Sequence, residues 1–227
     1  MTPFEQHIIG SGMKFHPVVP FAKGIDTLTT LDLTADNSAL TEEIYTDTDL
    51  FARYVDAQRQ KAGARYAIGG YNEHRTIYNR SNLFDEGQEP RRLHLGLDIW
   101  GEAGTPVLAV AAGSVHSFAN NAAFGDYGGT IILSHQTGGM SWYSLYGHLS
   151  VGSLAAMFVG KKIGQGEMFA VFGEPKENGG WPPHLHFQLI VDIGDYKGDY
   201  PGVCRYSERV QWLRNSPDPD LVLGWKG

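Results

Sequence analysis

Short runs of β-forming residues, each bounded by glycine, asparagine or proline, dominate this sequence from residue 93 onward. The runs read TPVLAVAAG, SVHSFAN, GGTIILSHQ, MSWYSLYGHLS, EMFAVFGE and HLHFQLIVD. Short strands separated by turn residues at close spacing are typical of antiparallel sheets and barrels. We therefore predict a mainly β fold whose core is a compact antiparallel β-sheet or a barrel-like arrangement.

The first 90 residues differ and contain the best helix candidate of the chain. The stretch TDTDLFARYVDAQRQKAG has apolar residues at helical spacing, which are Leu50, Phe51, Tyr54 and Val55. Thr48 or Asp49 could cap its start, and Gly63 would end it. We predict an amphipathic helix here, inside an N-terminal extension of mixed α/β structure.

The chain divides into three predicted parts. Residues 1–90 form the N-terminal extension, residues 91–212 form the main domain, and residues 213–227 form a linker-like tail with two prolines and acidic residues. The segment GGYNEHRTIYNRSNLF leads directly into the main domain. Because it precedes the residues that carry the chemistry discussed below, we expect it to pack along a cleft and cover it.

Charge and cysteine content exclude several kinds of partner and site. The formal net charge of −7, without a run of lysine or arginine, gives no footprint for nucleic acid or an anionic membrane. The single cysteine, Cys204, cannot form an intrachain disulfide or a cysteine-type zinc site. Any metal must therefore be held by histidine and carboxylate.

No targeting or membrane segment is visible in the sequence. The start, MTPFEQHIIGSGMKF, lacks a basic beginning followed by a long apolar core. No segment reaches the roughly 18 apolar residues of a membrane span. We therefore expect a cytoplasmic protein, or an extracellular or periplasmic one if an N-terminal segment has been removed.

Two histidines in WPPHLHFQLI are separated by one leucine. Side chains alternate between the faces of a strand, so His184 and His186 should project to the same side, about 6.6 Å apart. Leu185 and Phe187 should face the other side. Such a pair could bind metal, act in catalysis, or be two polar residues on a solvated strand.

A second stretch, RRLHLGLDIWGEAGTPV, alternates leucines with His94, Gly96 and Asp98. On a straight strand, His94 and Asp98 would be about 13 Å apart at Cα, slightly too far to share one ion. A bend at Gly96 would bring them together, because glycine tolerates it best. His148 follows Gly147 at the end of a third stretch, SLYGHLS.

The three stretches together resemble the lysostaphin-type zinc metallopeptidases, the peptidoglycan endopeptidase-like family. HLGLD, YGHLS and HLHF occur in the family's order, with GTPVLAVAAGSV after the first and GKKIGQGEMFAVFG before the last. The resemblance covers roughly residues 92–190. Each motif alone is weak, but the ordered combination is specific.

The resemblance implies a role for each of five residues. His94, Asp98 and His186 would bind Zn²⁺, and His148 and His184 would be the catalytic pair that flanks the attacking water. Three nitrogen and oxygen ligands leave one tetrahedral position open, as in catalytic zinc sites. The sequence does not decide which of the two catalytic histidines is the general base.

The function predicted from this resemblance is zinc-dependent hydrolysis of a peptide bond, in peptidoglycan or in a glycine-rich peptide. Three alternatives remain open: a non-catalytic metal-stabilised binding module, a peptidase-like segment of an intracellular multidomain enzyme, and a carrier phosphorylated on histidine. Asp98 argues against the carrier, because a carboxylate beside the acceptor histidine repels phosphate.

One departure from the family's pattern bears on the substrate. ENGGWPPHLHF places Trp181 and two prolines where the family has a small Ser/Thr-Gly run before the paired histidines. Trp142, Tyr143 and Tyr146 are expected in the core or a groove wall. The remaining histidines are expected to be surface or hydrogen-bonded residues without a role in the site: His7, His16, His74, His116 and His135.

Overall fold

The computed structural model describes residues 1–225. The strands are β1 (Leu28–Leu31), β2 (Tyr66–Gly69), β3 (Leu93–His94), β4 (Leu97–Trp100), β5 (Pro106–Leu108), β6 (Gly113–Asn121), β7 (Gly128–Thr137), β8 (Met140–Leu149), β9 (Lys162–Ile163), β10 (Met168–Val171), β11 (His184–Ile190) and β12 (Val203–Cys204). The helices are α1 (Pro3–Gly10), α2 (Glu42–Thr46), α3 (Thr48–Lys61), α4 (Arg209–Asn215) and α5 (Asp220–Leu223).

One large sheet organises the molecule, in the strand order β1-β2-β4-β11-β8-β7-β6-β9. The pairs from β2 to β9 are antiparallel, whereas β1 and β2 are parallel. The pairs β10-β5 and β12-β3 form two smaller sheets. The predicted mainly β fold, with an antiparallel sheet and a helix in the N-terminal extension, is confirmed.

Strand β11 lies between β4 and β8 and separates the core from the site. Leu185, Phe187 and Leu189 are fully buried in the main hydrophobic cluster. His184 and His186 alternate with them along the strand and are also buried. The period-two pattern of the sequence therefore places the leucines and the histidines on opposite faces.

The N-terminal extension completes the large sheet beside the site. Strand β2 pairs with β4 in a register that sets Gly69 opposite Asp98 and Ala67 opposite Trp100. Strand β1 continues the sheet beyond β2. The division at residue 90 stays a prediction, but two strands from before it belong to the same sheet as β4 and β11.

Helix α3 is the amphipathic helix predicted from the sequence, with one correction at its start. Asp47 is the N-cap, and its carboxylate accepts from the backbone N–H groups of Asp49 and Leu50. The predicted caps Thr48 and Asp49 are wrong, because the Thr48 hydroxyl donates instead to the Gly180 carbonyl at 2.8 Å. Gly63 follows the helix with φ +58°, the left-handed conformation expected at that position.

Residues 213–225, in the predicted tail, pack onto the domain. Val222 of α5 is buried in the main hydrophobic cluster. Ser216 is fully buried, and its hydroxyl accepts from the Gln188 amide at 2.9 Å. The last two residues of the predicted tail lie outside the described residues. No helix formed by residues 1–225 has the length and apolar content to cross a bilayer.

Candidate metal and catalytic site

Three buried side chains converge on one point between β3, β4 and β11. His94 ends β3, Asp98 lies in β4, and His186 of β11 stands opposite Asp98 in the sheet register. Asp98 Oδ1 lies 3.2 Å from His94 Nε2 and 3.1 Å from His186 Nδ1, and the two nitrogens are 2.9 Å apart. The chain thus brings together the three residues that the sequence analysis assigned to metal.

The strand is interrupted between β3 and β4, at the place where the sequence analysis required a bend. Gly96 lies in this interruption, and the His186 ring packs directly against it. A Cβ at Gly96 would lie only 2.5 Å from His186 Cε1. Glycine is needed here because any side chain would displace the ring of His186.

Hydrogen bonds on the far side of each imidazole fix which nitrogen carries the proton. His94 Nδ1 lies 2.8 Å from the Gly70 carbonyl, which can only accept, so Nδ1 is the donor. His186 Nε2 donates to Gln188 Oε1 at 2.9 Å. The Gln188 amide nitrogen donates to the Pro201 carbonyl and to Ser216, which orients its oxygen toward His186.

These hydrogen bonds leave three acceptors facing one another. His94 Nε2, His186 Nδ1 and Asp98 Oδ1 each present a lone pair to the same point, an arrangement that repels unless a cation or a proton lies between them. All three ligand atoms lie within 4.8 Å of one another. Tetrahedral zinc places its ligands about 3.3 to 3.5 Å apart. The donor set therefore fits a metal ion, and it fits zinc chemistry well.

The other two predicted residues, His148 and His184, lie beside this cluster. Their ring centroids are 4.1 Å apart, and the His184 ring stacks on Trp100. His184 Nε2 is 4.0 Å from Asp98 Oδ1, farther than His94 or His186. In each of the two imidazoles Nδ1 donates to a backbone carbonyl, of Asn178 for His148 and of Pro182 for His184. Each Nε2 is left as an acceptor.

His148 also has an unusual backbone conformation. Its φ is +61°, in the left-handed region that residues other than glycine rarely adopt. Its backbone N–H donates to the Tyr127 carbonyl at 2.8 Å, and its carbonyl accepts from the Gly173 N–H at 2.9 Å. Strained backbone of this kind costs roughly 1 to 3 kcal/mol and persists where surrounding contacts hold it. These contacts set the direction of the His148 ring.

Burial keeps the imidazoles of His94, His148 and His184 neutral near pH 7. Desolvation lowers the pKa of His184 to about 4, although the Asp98 carboxylate opposes this shift. Desolvation, and then the neighbouring His184, hold the pKa of His148 well below its usual value. The pKa of His94 falls to about 3, through burial and then the charge of Arg75. Neutral imidazoles can bind a metal or accept a proton.

Asp98 stays ionised in this buried environment. Burial alone would raise its pKa, but His94 and the Arg75 guanidinium together hold it well below the usual value. Arg75 Nη1 donates to Asp98 Oδ2 at 2.5 Å. The sequence analysis noted Arg75 only as part of a covering segment. The sequence gives no signal for this contact, since the two residues are 23 positions apart.

A cavity of about 170 Å³ adjoins the site. Among the residues that line it are Ile77, Tyr78, Leu83, Phe84 and Trp181, and we call these five residues the roof. Tyr78 and Phe84 of the roof stack at a centroid distance of 4.7 Å, and the Tyr78 ring meets Trp181 edge-on at 6.1 Å. The covering role predicted for the N-terminal extension stays a prediction, but part of that segment lies at the cavity.

Comparison with known families agrees with this geometry. The model of Peptidase family M23 matches residues 92–197, a range that contains the three converging ligands and both neighbouring imidazoles.

Two curated relatives match part of the chain. The DD-carboxypeptidase/endopeptidase Mpg of Neisseria meningitidis serogroup B is 33% identical over 129 residues, which are 55% of this chain and 27% of that protein. An uncharacterized metalloprotease of Haemophilus influenzae is 34% identical over 138 residues, which are 58% of this chain and 27% of that protein. The chain thus spans about a quarter of the length of these relatives.

Solved structures with partial similarity include two peptidase chains. The catalytic domain of lysostaphin from Staphylococcus simulans has a TM-score of 0.41 and 22% identity, covering 72% of this chain and 98% of that one. A zinc containing peptidase from Vibrio cholerae has a TM-score of 0.36 and 24% identity, covering 44% of this chain and 28% of that one. Residues 92–197 of this chain thus match the model of Peptidase family M23, and the ordered motifs within this range resemble those of its lysostaphin-type members.

Proposed function

We propose that this chain is a zinc-dependent metalloendopeptidase that hydrolyses a peptide bond in peptidoglycan or in a glycine-rich peptide. The observation that carries the proposal is the convergence of three unprotonated ligand atoms on one point, with two further neutral imidazoles beside it. The M23 family match and the peptidase names of the relatives support the same reaction class.

In this proposal His94, Asp98 and His186 hold the ion. A zinc ion with three protein ligands lowers the pKa of a coordinated water and polarises a carbonyl group. The hydrogen bonds from His94 to Gly70 and from His186 to Gln188 keep both imidazoles in the tautomer that binds metal.

His184 and His148 handle protons in this scheme. Each has an unprotonated Nε2, and each has its Nδ1 anchored on a backbone carbonyl, so neither ring is free to rotate. One Nε2 accepts the proton of the attacking water, and the imidazolium so formed then donates that proton to the leaving amine. The other Nε2 carries no proton and can accept a hydrogen bond from the attacking water or from a substrate N–H group. Their ring centroids are 4.1 Å apart, so both imidazoles lie at the same side of the metal ligands.

The cavity bears on the kind of substrate. Its roof includes Tyr78, Phe84 and Trp181, three aromatic side chains that are at most 6% exposed. A narrow cavity of this kind favours a peptide with small side chains near the scissile bond. Glycine-rich peptides and the alanine residues of peptidoglycan stem peptides meet this requirement.

Two measurements on the purified chain test the proposal. Elemental analysis should give about one zinc per chain, and the zinc-loaded chain should cleave pentaglycine or a muropeptide. His94→Ala is the control and should lose both zinc and cleavage. A zinc-loaded wild-type chain that cleaves neither substrate would contradict the peptidase proposal. The main alternative would then be a metal-stabilised binding module, which the burial of all five side chains also supports.

A further inference from the structure

Arg75 is the most completely buried charged side chain near the site, with 1% of its surface exposed. Its guanidinium donates to Asp98 Oδ2 at 2.5 Å, to Glu73 Oε2 at 2.6 Å and to the Gly70 carbonyl at 3.2 Å. The same Nη1 also reaches the Tyr78 hydroxyl at 3.3 Å. Each of the three guanidinium nitrogens therefore has an acceptor, and the side chain has one defined position.

The backbone leaves a space for this guanidinium. Gly69 stands opposite Asp98 in the β2–β4 register, and a Cβ at Gly69 would lie 2.7 Å from Arg75 Nη2. The same Cβ would lie 3.2 Å from Trp100 Nε1. A glycine at the end of β2 thus permits Arg75 to pass over the strand and reach the carboxylate.

The segment that carries Arg75 is fixed to the strand that carries His94. The Arg75 N–H donates to the Arg92 carbonyl at 2.9 Å, and the His94 N–H donates to the Glu73 carbonyl at 2.9 Å. The Asn72 N–H donates to the His94 carbonyl at 3.0 Å. These three backbone hydrogen bonds hold residues 72–75 against the strand of His94. Any movement of residues 72–75 would therefore also move His94.

We propose that Arg75 is a positioning residue for the metal centre, acting through Asp98. It occupies Oδ2, so that Asp98 presents only Oδ1 toward His94 and His186. One carboxylate oxygen and two imidazoles make three ligands and leave a coordination position for water or substrate. This inference rests on the metal site of the proposed function, and it makes residues 69–75 of the N-terminal extension part of that site.

A purely structural ion pair is the competing explanation. The two differ in what happens to the carboxylate when Arg75 is replaced. If Arg75 positions Asp98, its removal frees Oδ2 to bind the ion as well, and the coordination number rises. If the pair only stabilises the fold, the folded variant keeps the same coordination.

Metal binding by Arg75→Gln separates these explanations without relying on activity. Zinc affinity is measured by competition with a chromophoric chelator, and coordination is measured from the visible absorption of bound Co²⁺, which is intense in four-coordinate sites and weak in six-coordinate sites. We expect a loss of zinc affinity of about 10- to 100-fold, the range for removing a group that orients a ligand, with weaker Co²⁺ absorption. Wild-type affinity and absorption in the folded variant would overturn the inference.

Arg92→Gln is the matched control. Arg92 is also a largely buried arginine, but its guanidinium contacts Asn79, Asp85 and backbone carbonyls, not a metal ligand. We expect this variant to keep wild-type metal affinity and Co²⁺ absorption. An equal loss in both variants would show a general effect of removing a buried arginine and would count against the inference.

Arg75→Lys covers the case in which Arg75→Gln does not fold. Lysine keeps the charge but cannot bind Asp98 and Glu73 through a planar fork. We expect weaker zinc binding and altered Co²⁺ absorption in the folded variant, whereas wild-type values would overturn the inference. The wild-type chain gives the separate test of the proposed function: absence of zinc binding there refutes the metal site, and zinc binding without cleavage refutes only the peptidase.

Discussion

At the scale of single residues, two histidines on one strand have different surroundings. His186 Nδ1 points at Asp98 and His94, and its other nitrogen is held by Gln188. His184 stacks between Trp100 and His148, and its Nε2 is 4.0 Å from the carboxylate. One residue of separation along β11 therefore gives one imidazole a position among the ligands and the other a position beside them.

Alanine substitution should separate these two roles. His186→Ala removes a ligand, so we expect loss of bound zinc together with loss of cleavage. His184→Ala and His148→Ala should keep near-normal zinc while kcat falls by about 10² to 10⁴, the range for a general acid/base or an oxyanion donor. Elemental analysis and steady-state kinetics on the same samples give both values. Retention of zinc by His186→Ala with loss from His184→Ala would reverse the assignment.

The five candidate residues could be named from the sequence because three short motifs, in order, resemble those of the lysostaphin-type family. His94 and Asp98 lie four residues apart, and His184 and His186 lie two apart, so each pair can be recognised within one short stretch of sequence. Arg75 gives no such signal, because it reaches Asp98 across 23 positions of sequence and through a space left by Gly69. Contacts of this kind depend on strand register, which the sequence pattern alone does not provide.

At the scale of elements, the N-terminal extension contributes both to the site and to its roof. Strand β2 extends the sheet, the Gly70 carbonyl accepts from His94, and four residues of the 77–84 segment line the cavity. The sequence predicted helix α3 from its apolar spacing, but it did not predict α1, whose capping box pairs Thr2 with Glu5 around Pro3. The capping-box pattern is a recognisable sequence signal for the start of a helix. The pairing of β2 with β4 has no such signal, since short apolar runs do not specify their partners.

The roof provides a test of substrate access through Trp181. Its ring lines the cavity 6.3 Å from the His148 ring, and the Arg80 guanidinium lies over it at 4.7 Å. Trp181→Ala should widen the cavity, and we expect kcat/KM for a long peptide to rise relative to that for a short one. The measurement is the ratio of kcat/KM for the long peptide to kcat/KM for the short one. A partial loss of folded enzyme lowers both values equally and does not change this ratio.

Trp181→Phe is the control for this experiment, because it keeps a ring in the same place and should keep the wild-type ratio. Truncation of a buried aromatic residue costs about 3 to 5 kcal/mol, so thermal unfolding is recorded for each variant. An unchanged ratio in folded, zinc-loaded Trp181→Ala would show that this ring does not limit access.

At the scale of the whole molecule, acid should destabilise the fold through buried histidines. His135 offers the clearest case because it lies in β7, away from the metal ligands. It is 2% exposed, its Nδ1 donates to the Ala112 carbonyl at 3.0 Å, and its Nε2 accepts from the Ser144 hydroxyl at 2.7 Å. Its ring stacks on Trp142 at a centroid distance of 4.1 Å. The sequence analysis expected a surface or hydrogen-bonded histidine here, and the structure shows a buried, hydrogen-bonded one.

Desolvation lowers the pKa of His135 to about 4 from an ordinary value near 6.5. Between these two values the unfolded chain binds a proton that the folded chain does not, so the free energy of unfolding falls as the pH decreases from about 6.5 to 4. A pKa shift of this size corresponds to about 3 kcal/mol in the free energy of unfolding. The fold has this stability in full above pH 6.5 and loses it progressively as the pH falls below that value. His135→Gln cannot titrate, so the variant should lose less stability over the same interval. Urea unfolding of the zinc-free wild type and the variant at pH 7 and pH 4.5 measures the difference, and equal pH dependence of the two proteins would contradict the assignment.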